Sequence, residues 1–278
     1  MTRRDHRTLA RTRTPGPTLY AYSASPDSKP QAVVGILHGA FEHAGKYVRV
    51  MDAWAERGIA SVAIDLRGHG RSGGKRAYCR RFEDFLDDTL ELERLVGETD
   101  APALLFGHSF GGLVATNSVL ARSAPWRALV LSAPFFGIPA DVSRAKIFLA
   151  EIASRVVPTF ALPNGIRSSD VTHDAALARV YDDDPLFVHV ATARWFTETR
   201  AAQARALERA SSIVMPLHVV SGTADRVVNP ETTRAFFDRV GSSDKTWDKR
   251  EGLYHEVLSE PEWRGIAEGL AQWVLSHA

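Results

Sequence analysis

Short apolar runs alternate along the chain with segments in which apolar residues recur every three or four positions. The runs end at Gly, Asp, Ser or His, and lie at 32–37, 59–64, 102–106, 128–131 and 217–220, with a further strand predicted at 246–249. Helical patterns occupy 47–56, 82–96, 113–121, 231–240 and 262–275. Apolar strands separated by helices are typical of a mostly parallel sheet covered on both faces. The sequence therefore predicts an α/β fold.

One long segment, 134–212, departs from this alternation, since it contains two glycines and no convincing strand pattern. Apolar residues at helical spacing predict one helix over 145–156. An aspartate followed by proline, a common start of a helix, predicts a second helix over 184–206. We therefore expect a helical cap at 134–212, inserted into a core formed by 18–133 and 213–278.

Composition and charge exclude several classes of protein. The 278 residues are 45% hydrophobic and 24% charged, with a formal net charge of +1, so a nucleic-acid-binding domain with a strong basic excess is not expected. Five arginines stand among the first 14 residues, and segment 1–17 is predicted to be a disordered basic arm. No apolar run reaches the ~18 residues of a membrane span. The single cysteine, Cys79, favours a reducing, cytoplasmic compartment.

The candidate nucleophile is Ser109, in the sequence Gly-His-Ser-Phe-Gly at 107–111. A buried strand precedes this motif and a helix follows it, so the serine is predicted at a sharp strand–turn–helix with its hydroxyl exposed above the sheet. The positive end of the helix dipole favours negative charge developing there. A chance Gly-x-Ser-x-Gly in a loop is the alternative, and the flanking strand and helix argue against it.

A serine needs a base to take its proton and an acid to hold that base, in the chain order serine, acid, histidine for this architecture. Asp225 follows the strand at 217–220, and His255 follows the strand at 246–249. Both lie at carboxyl ends of strands, where open α/β sheets bind ligands. The other acids nearby, Asp244, Asp248 and Glu251, stand before, within or directly after the last strand. The predicted triad is Ser109, Asp225 and His255.

Acyl transfer also requires hydrogen-bond donors for the oxyanion of the tetrahedral intermediate. The N–H of Phe110, directly after the nucleophile, is one candidate. The N–H of Ala40, in the His-Gly-Ala turn that follows the strand at 32–37, is the other. The backbone supplies both donors, so side-chain identity at these positions matters little.

Two further patterns suggest other chemistry and are set aside. Gly-His-Gly-Arg-Ser-Gly at 68–73 matches the dinucleotide fingerprint, but no helix opens directly after it and Asp87 falls within a helix. Several histidines stand in predicted loops, yet no spacing matches a zinc site. We therefore expect neither a metal nor a cofactor.

Several segments carry a family resemblance: His-Gly-Ala-Phe-Glu-His at 38–43, Asp-Leu-Arg-Gly-His-Gly-Arg-Ser at 65–72, Gly-His-Ser-Phe-Gly-Gly at 107–112, Asp-Asp-Asp-Pro-Leu at 182–186, Gly-Thr-Ala-Asp-Arg-Val-Val at 222–228 and Tyr-His-Glu at 254–256. Together they resemble the monoacylglycerol lipase/lysophospholipase family of α/β-hydrolases, over about residues 18–275. The resemblance implies an α/β-hydrolase fold with an inserted helical cap, and the same triad and oxyanion donors. It also implies a substrate head group near Glu42, Lys46 and Tyr181. Family members often have a small residue at Phe41 and arginine at Lys46, which leaves the head-group preference open.

The activity implied by this resemblance is that of a serine esterase acting on monoacylglycerols or similar single-chain lipid esters. Lysophospholipase, thioesterase and general carboxylesterase activities stay open as alternatives, because the sequence does not distinguish them. A ligand receptor that retains the fold is an alternative of another class. Loss of a triad member would favour the receptor, and all three members are present.

The cap is predicted to supply the apolar wall of the substrate pocket. Phe148 and Ile152 fall on the apolar face of the first cap helix, and Trp195 lies on the second. With Phe41 beside the oxyanion loop, they complete the candidate substrate-binding residues. Ile147 projects from the opposite, polar face, and one hypothesis is that it makes transient contact with a membrane or micelle. Incidental exposure of one apolar residue is the alternative.

Overall fold

The computed structural model describes residues 2–9, 15–137 and 143–278. The strands are β1 (Thr2–Leu9), β2 (Leu19–Pro26), β3 (Ala32–Leu37), β4 (Ile59–Asp65), β5 (Ala103–His108), β6 (Trp126–Ser132), β7 (Ala161–Pro163), β8 (Val190–Thr192), β9 (Leu217–Gly222) and β10 (Lys245–Arg250). The α-helices are α1 (Val48–Ala55), α2 (Glu83–Val96), α3 (Phe110–Ala121), α4 (Arg144–Val156), α5 (Ala175–Asp183), α6 (Ala193–Arg209), α7 (Pro230–Arg239) and α8 (Trp263–Ser276). Short 3₁₀ turns lie at Ala44–Tyr47, Ser168–Asp170, Ala210–Ser212 and Val257–Ser259.

Within the described residues, eight strands form one sheet in the order β1-β2-β4-β3-β5-β6-β9-β10. The pairs β1/β2 and β2/β4 are antiparallel, and every later pair is parallel. The predicted mostly parallel sheet is therefore present. Because β3, β5, β9 and β10 run in the same direction, the loops at their carboxyl ends gather at one edge of the sheet, where the predicted site residues lie.

Two apolar clusters cover the two faces of this sheet. One packs side chains of α2, α3 and α6 against the strands, and the other packs α1 and α8 against the opposite face. The indole N–H of Trp54 on α1 donates to the carbonyl oxygen of Ala267 on α8 at 2.9 Å. Strand β3 is buried at all six positions, which explains why its sequence is a continuous apolar run rather than an alternating one. No helix in the described ranges is both long enough and apolar enough to cross a bilayer.

The segment from 143 to 212, called the cap below, lies between β6 and β9 and differs in detail from the prediction. The predicted start of the second cap helix at 184 is wrong, because α5 ends at Asp183 and α6 begins only at Ala193, whereas the helix itself is present over 193–206. The N-cap of α6 is Thr192, whose hydroxyl accepts the N–H of Trp195 at 3.2 Å. The short strands β7 and β8, which the sequence did not predict, pair between the helices. Residues 138–142 of the predicted cap lie outside the described part of the chain.

The first residues also differ from the prediction of a disordered arm over 1–17. Strand β1 pairs with β2 along its whole length, at the edge of the sheet. The side chain of Arg4 makes two hydrogen bonds to Asp52, and Arg7 pairs with Glu98 at 3.0 Å. These partners are distant in sequence, so the local composition did not indicate them. Met1 and residues 10–14 of the predicted arm lie outside the described residues.

Candidate active site

Ser109 lies at the sharp turn between β5 and α3. Its backbone angles are φ 50° and ψ −116°, a conformation that costs a non-glycine residue about 1–3 kcal/mol. A Cβ on Gly107 would lie 2.5 Å from the carbonyl oxygen of Gly111, and one on Gly111 would lie 2.1 Å from that of Leu37. Glycine is therefore required on both sides, and the turn has the strand–turn–helix form of a nucleophile elbow.

Backbone hydrogen bonds hold this turn in place. The N–H of Ser109 donates to the carbonyl oxygen of Ser132 at 2.9 Å, and its own carbonyl accepts the N–H of Phe135 at 3.0 Å. Both partners belong to β6 or the loop after it, so the neighbouring strand supports the strained residue. The serine is thus fixed by the sheet rather than by its own loop.

Asp225 lies in the loop that follows β9, with its side chain 1% exposed. Oδ1 accepts the N–H groups of Val227 at 2.8 Å and Val228 at 3.0 Å, while Oδ2 lies 2.7 Å from Nδ1 of His255. Burial by itself raises the pKa of Asp225, but the charge of His255 and these hydrogen bonds outweigh burial and leave the pKa below its ordinary value. The acid is therefore held ionised against the histidine.

His255 lies between β10 and α8 and is buried. Burial lowers the pKa of a histidine, but the carboxylate of Asp225 outweighs it, so the pKa of His255 stands above its ordinary value of 6.5. Because Asp225 engages Nδ1, Nε2 is the ring nitrogen left to exchange protons with a reacting group. His255 and Ser109 line the same cavity. The chain order and the geometry thus bring the predicted acid, base and nucleophile to one place.

The loop after β3 carries the predicted oxyanion donor Ala40. The N–H of Leu66 donates to Nε2 of His38 at 2.9 Å, so Nδ1 of His38 carries the proton and donates to the carbonyl oxygen of Gly39 at 2.7 Å. That oxygen and the N–H of Ala40 belong to one trans peptide and point in opposite directions, which leaves the Ala40 N–H directed away from His38. The second predicted donor, Phe110, is the first residue of α3, where the N–H groups have no acceptor within the helix.

A cavity of about 390 Å³ opens over these groups, within the range of small-molecule sites. Core and cap both contribute to its wall, which is formed by Gly39, Ala40, Phe41, Glu42, His108, Ser109, Phe135, Asn164, Gly165, Ile166, Asp170, Val171, Ala191, Trp195, Phe196, Arg226, Val227, His255 and Glu256. A smaller cavity of about 80 Å³ adjoins it and shares the residues around Phe41 and Glu42. The two cavities therefore meet beside Phe41 and Glu42, and the predicted nucleophile lines the larger one.

Comparison with known proteins identifies the family to which the chain belongs. A family model described as "Serine aminopeptidase, S33" matches residues 28–262. The chain belongs to this family of α/β-hydrolases. It is 32% identical to a monoacylglycerol lipase of Mycolicibacterium smegmatis over 263 residues, covering 91% of each chain, and 28% identical to the phospholipase YtpA of Bacillus subtilis, covering 84% of this chain and 91% of that one. The crystal structure of a Paleococcus ferrophilus monoacylglycerol lipase superposes with a TM-score of 0.85 at 27% identity, covering 94% and 99% of the two chains.

These comparisons confirm both the family resemblance and the α/β-hydrolase fold predicted from the sequence. The protein is a serine hydrolase of this family. Identities near 30% establish the family and leave the substrate to be argued from the site.

Four of the predicted substrate-binding residues line the two cavities of this α/β-hydrolase. Phe41, Glu42 and Trp195 line the larger cavity, and Tyr181 lines the smaller one. The ring of Phe41 packs on Trp195 with centroids 4.8 Å apart. Phe41 has a positive φ of 68°, and its carbonyl oxygen accepts the N–H of Val188 from the cap at 2.8 Å. The cap therefore helps to hold the loop after β3, which carries the predicted oxyanion donor Ala40.

The structure does not place Phe148 and Ile152 in the pocket. Both point to solvent, with exposures of 62% and 41%. The other face of α4 meets α6 through polar contacts: the hydroxyl of Ser154 lies 2.8 Å from that of Thr197, and Glu151 pairs with a residue of α6 at 3.5 Å. Those polar contacts turn the apolar face outward. Ile147 is half-buried, so the fully exposed apolar residues of α4 are Phe148, Leu149, Ile152 and Val156 rather than Ile147.

Lys46, the remaining predicted head-group residue, lines neither of the two cavities as they are formed by the described residues. Its ammonium lies against the carboxylates of Glu42 and Glu256. Ligand atoms of Glu42, His108 and Glu256 lie within 4.8 Å of one another, an arrangement that a metal ion could use in principle. The Lys46 ammonium already neutralises part of the charge of both carboxylates. These groups therefore form a binding site for the lysine side chain rather than for a metal ion.

The sequence prediction missed several residues that line the larger cavity: Phe135, Asn164, Ile166, Val171, Phe196, Arg226 and Glu256. Two of them had a signal in the sequence, since Arg226 and Glu256 directly follow the predicted acid and base. Phe135 also stands just past the carboxyl end of a strand, where ligands bind. The cap residues had no such signal, because their positions depend on how the cap folds over the core.

Proposed function

We propose that this serine hydrolase cleaves monoacylglycerols to a free fatty acid and glycerol through an acyl-enzyme on Ser109. The observation that carries this proposal is the chemistry of the smaller cavity. Its wall includes the carboxyl groups of Glu42, Asp182 and Glu256, and no lysine or arginine is found among the described residues that line it. A neutral glycerol head group offers hydroxyl donors to such a wall. The Lys46 ammonium behind Glu42 and Glu256 offsets only one of the three carboxylates, so the remaining negative charge would repel an anionic phosphate group.

The larger cavity suits a single acyl chain. Aromatic and aliphatic side chains form most of its wall, with Phe135, Trp195 and Phe196 beside the predicted nucleophile. An acyl chain gains about 0.8 kcal/mol for each methylene that it buries. The ester carbonyl would then lie in the larger cavity next to Ser109, with the head group directed past Phe41 and Glu42 into the smaller cavity.

The proposed reaction has two halves. His255 removes the proton of Ser109 as the serine oxygen attacks the ester carbon, while the N–H groups of Ala40 and Phe110 stabilise the oxyanion. His255 then gives that proton to the leaving glycerol oxygen, and the acyl-enzyme remains. In the second half, water loses a proton to His255 and attacks the acyl carbon. The bond between the acyl carbon and the serine oxygen then breaks, His255 returns the proton to that oxygen, and the fatty acid leaves. Asp225 stabilises the imidazolium in both halves.

A direct test is a panel of substrates after labelling with a fluorophosphonate. The probe should modify Ser109, and kcat/KM for monooleoylglycerol should exceed that for lysophosphatidylglycerol, whose head group carries a net negative charge, by more than about tenfold, because like charges brought together cost several kcal/mol. Oleoyl-CoA, p-nitrophenyl butyrate and an aminoacyl p-nitroanilide test the thioesterase, carboxylesterase and peptidase alternatives. Equal or better turnover of the lysophospholipid would contradict the proposal, and an unlabelled protein that binds monoolein without cleaving it would favour a receptor.

We propose further that the enzyme reaches its lipid through the cap. Eight large apolar residues between 148 and 166 are exposed, namely Phe148, Leu149, Ile152, Val156, Val157, Phe160, Leu162 and Ile166. Such a patch is unusual on a monomeric soluble protein and is typical of a contact surface. Exposed basic side chains at Lys146 and Arg155 flank it, which suits an anionic lipid surface. Ile166 also lines the larger cavity, so the patch is continuous with the chamber that would receive the acyl chain.

A further inference from the structure

Lys46 lies between two buried carboxylates that belong to different loops. Its ammonium forms a hydrogen-bonded ion pair with Glu42, four residues earlier, and an ion pair of 2.7 Å with Glu256. The three side chains are 6%, 4% and 9% exposed. Buried charges are stable only when they are paired, so this ammonium joins two segments that are more than 200 residues apart in the sequence.

The Glu42 end of this bridge reaches the oxyanion loop. Oε1 of Glu42 accepts the N–H of Gly39 at 2.6 Å and the hydroxyl of Tyr47 at 2.8 Å. Gly39 directly precedes Ala40, the predicted oxyanion donor. A Cβ on Gly39 would lie 3.0 Å from both Glu42 and His108, which shows how closely the loop is packed on these side chains. A shift of Glu42 would therefore move the Ala40 peptide.

The Glu256 end reaches the base. Glu256 directly follows His255, and its N–H donates to the carbonyl oxygen of Val171 in the cap at 2.9 Å. The ring of Tyr181, also in the cap, lies 4.3 Å from the Lys46 ammonium, and the Tyr181 hydroxyl lies 2.8 Å from that of Ser259. The ammonium is thus enclosed by two carboxylates and an aromatic face.

We propose that Lys46 is a positioning residue, which fixes the oxyanion loop relative to the loop that carries His255, rather than a ligand for the substrate head group. The proposal rests on the proposed ester hydrolysis. Misplacement of a catalytic group by about 1 Å can cost on the order of 100-fold in rate, so loss of the bridge should affect every ester that the site accepts. A head-group ligand, by contrast, would affect only substrates that carry the head group.

The same cluster sets the charge around the base. The charged or titratable groups that face His255 are Asp225, Glu256, Glu42 and His108. Burial holds His108 neutral by lowering its pKa to about 3. Burial lowers the pKa of His255 in itself, but Asp225 raises it, and Glu256 and Glu42 add to that rise. Burial raises the pKa of both carboxyl groups; the charge of Lys46 outweighs burial at Glu42 but not at Glu256, whose pKa stays above its ordinary value. Once the pH exceeds that raised pKa, the two carboxylates carry one more negative charge than the ammonium offsets, and Glu256 places it beside the base.

The first test compares Lys46→Met with Lys46→Arg on monooleoylglycerol and on p-nitrophenyl butyrate, which has no polyol head group. Lys46→Met should lower kcat on both esters by a similar factor, on the order of tenfold or more, with little change in KM. Lys46→Arg keeps the charge and should retain most of the activity. A loss confined to monooleoylglycerol and expressed in KM would overturn the proposal, as would no loss on either ester.

The second test holds even if Lys46→Met fails to fold. Glu256→Gln keeps the shape of the side chain and removes its charge, so the acid limb of the pH profile of kcat/KM should move to lower pH by on the order of 0.5–1 unit. Glu251→Gln, an exposed change on the loop just before, is the matched control and should leave the limb in place. An unmoved limb in Glu256→Gln would contradict the proposal. A wild-type protein without any esterase activity would instead contradict the proposed function.

Discussion

Oδ2 of Asp225 lies 2.7 Å from Nδ1 of His255, and the other oxygen of the same carboxylate accepts two backbone N–H groups. These bonds fix the carboxylate from both sides, so the imidazole that it holds has a defined tautomer and orientation. The strained backbone of Ser109 is fixed in the same way, by hydrogen bonds from β6 and its following loop. The rigidity of the site therefore comes from backbone groups at the carboxyl edge of the sheet, which substitutions of the reacting side chains leave intact.

Replacement of the nucleophile is the first prediction. Ser109→Ala should lower ester turnover by on the order of 10⁴–10⁶ and abolish fluorophosphonate labelling, because only the reacting oxygen is lost. The oxyanion donors remain, so a small residual rate is expected. Steady-state kinetics and a thermal melt of the purified variant check this result, and robust turnover by a folded Ser109→Ala protein would refute the assignment of the nucleophile.

Replacement of the acid is the second prediction. Asp225→Asn should lower kcat by on the order of 10⁴, because an amide no longer fixes the tautomer of His255 or stabilises its charged form. Asp248→Asn and Glu251→Gln are controls, since Asp248 pairs with Arg250 at 2.7 Å and the Glu251 side chain is exposed. Both controls should have mild effects. If either control lowers kcat as much as Asp225→Asn, another acid serves the base.

Preference for single-chain esters is the third prediction. The walls of the larger cavity come from both the core and the cap, so three acyl chains at once would require the cap to open. The value of kcat/KM for monooleoylglycerol should therefore exceed that for emulsified trioleoylglycerol, when both are measured by release of fatty acid. Comparable values for the two lipids would contradict this prediction.

Contact of the cap with lipid is the fourth prediction, and the chain offers a matched pair of substitutions. Val156 lies in the exposed patch and Val214 lies before β9, at the amino edge of the sheet, and both are 74% exposed. Val156→Asp should lower hydrolysis of monooleoylglycerol in anionic vesicles several-fold and spare hydrolysis of soluble p-nitrophenyl butyrate, because a charge opposes burial in the lipid interface. Val214→Asp should change neither rate. Equal effects of the two variants on vesicle substrate would exclude a special role for the patch.

Loss of stability in mild acid is the fifth prediction. Burial lowers the pKa of His38 to about 3, of His69 to about 4 and of His108 to about 3. The folded protein keeps these rings neutral while the unfolded chain protonates them near pH 6.5, so the free energy of unfolding falls as the pH is lowered from about 6.5. Each ring contributes up to about 1.4 kcal/mol per pH unit, and His255, whose pKa is raised, opposes the trend. Urea denaturation at pH 7.5 and 5.5 measures the change, and equal stability at the two values would contradict it.

Local signals determined the parts of the protein that the sequence predicted well. The turn at Ser109 depends on glycines two positions away on each side, on a buried strand before it and on a helix after it, all of which are adjacent in the chain. Strand β3 is a continuous apolar run, and its predicted and observed bounds are the same. The places of Asp225 and His255 followed from a general rule, since ligands gather where parallel strands end.

Tertiary contacts decided the rest. The amphipathic pattern of α4 was read correctly as a helix, but the sequence did not say which face would meet a neighbour, and polar contacts with α6 turned Phe148 and Ile152 outward. Strand β1 pairs with β2, and its arginines pair with Asp52 and Glu98. These partners lie beside β1 only in the folded chain, so the local sequence did not predict the strand. The surroundings of Lys46 depend in the same way on Glu256, which is brought near only when the last loop packs on the first. A sequence specifies periodicity and local turns through short-range sterics and hydrogen bonds, whereas the partner that a face or a charge acquires depends on groups from distant parts of the chain.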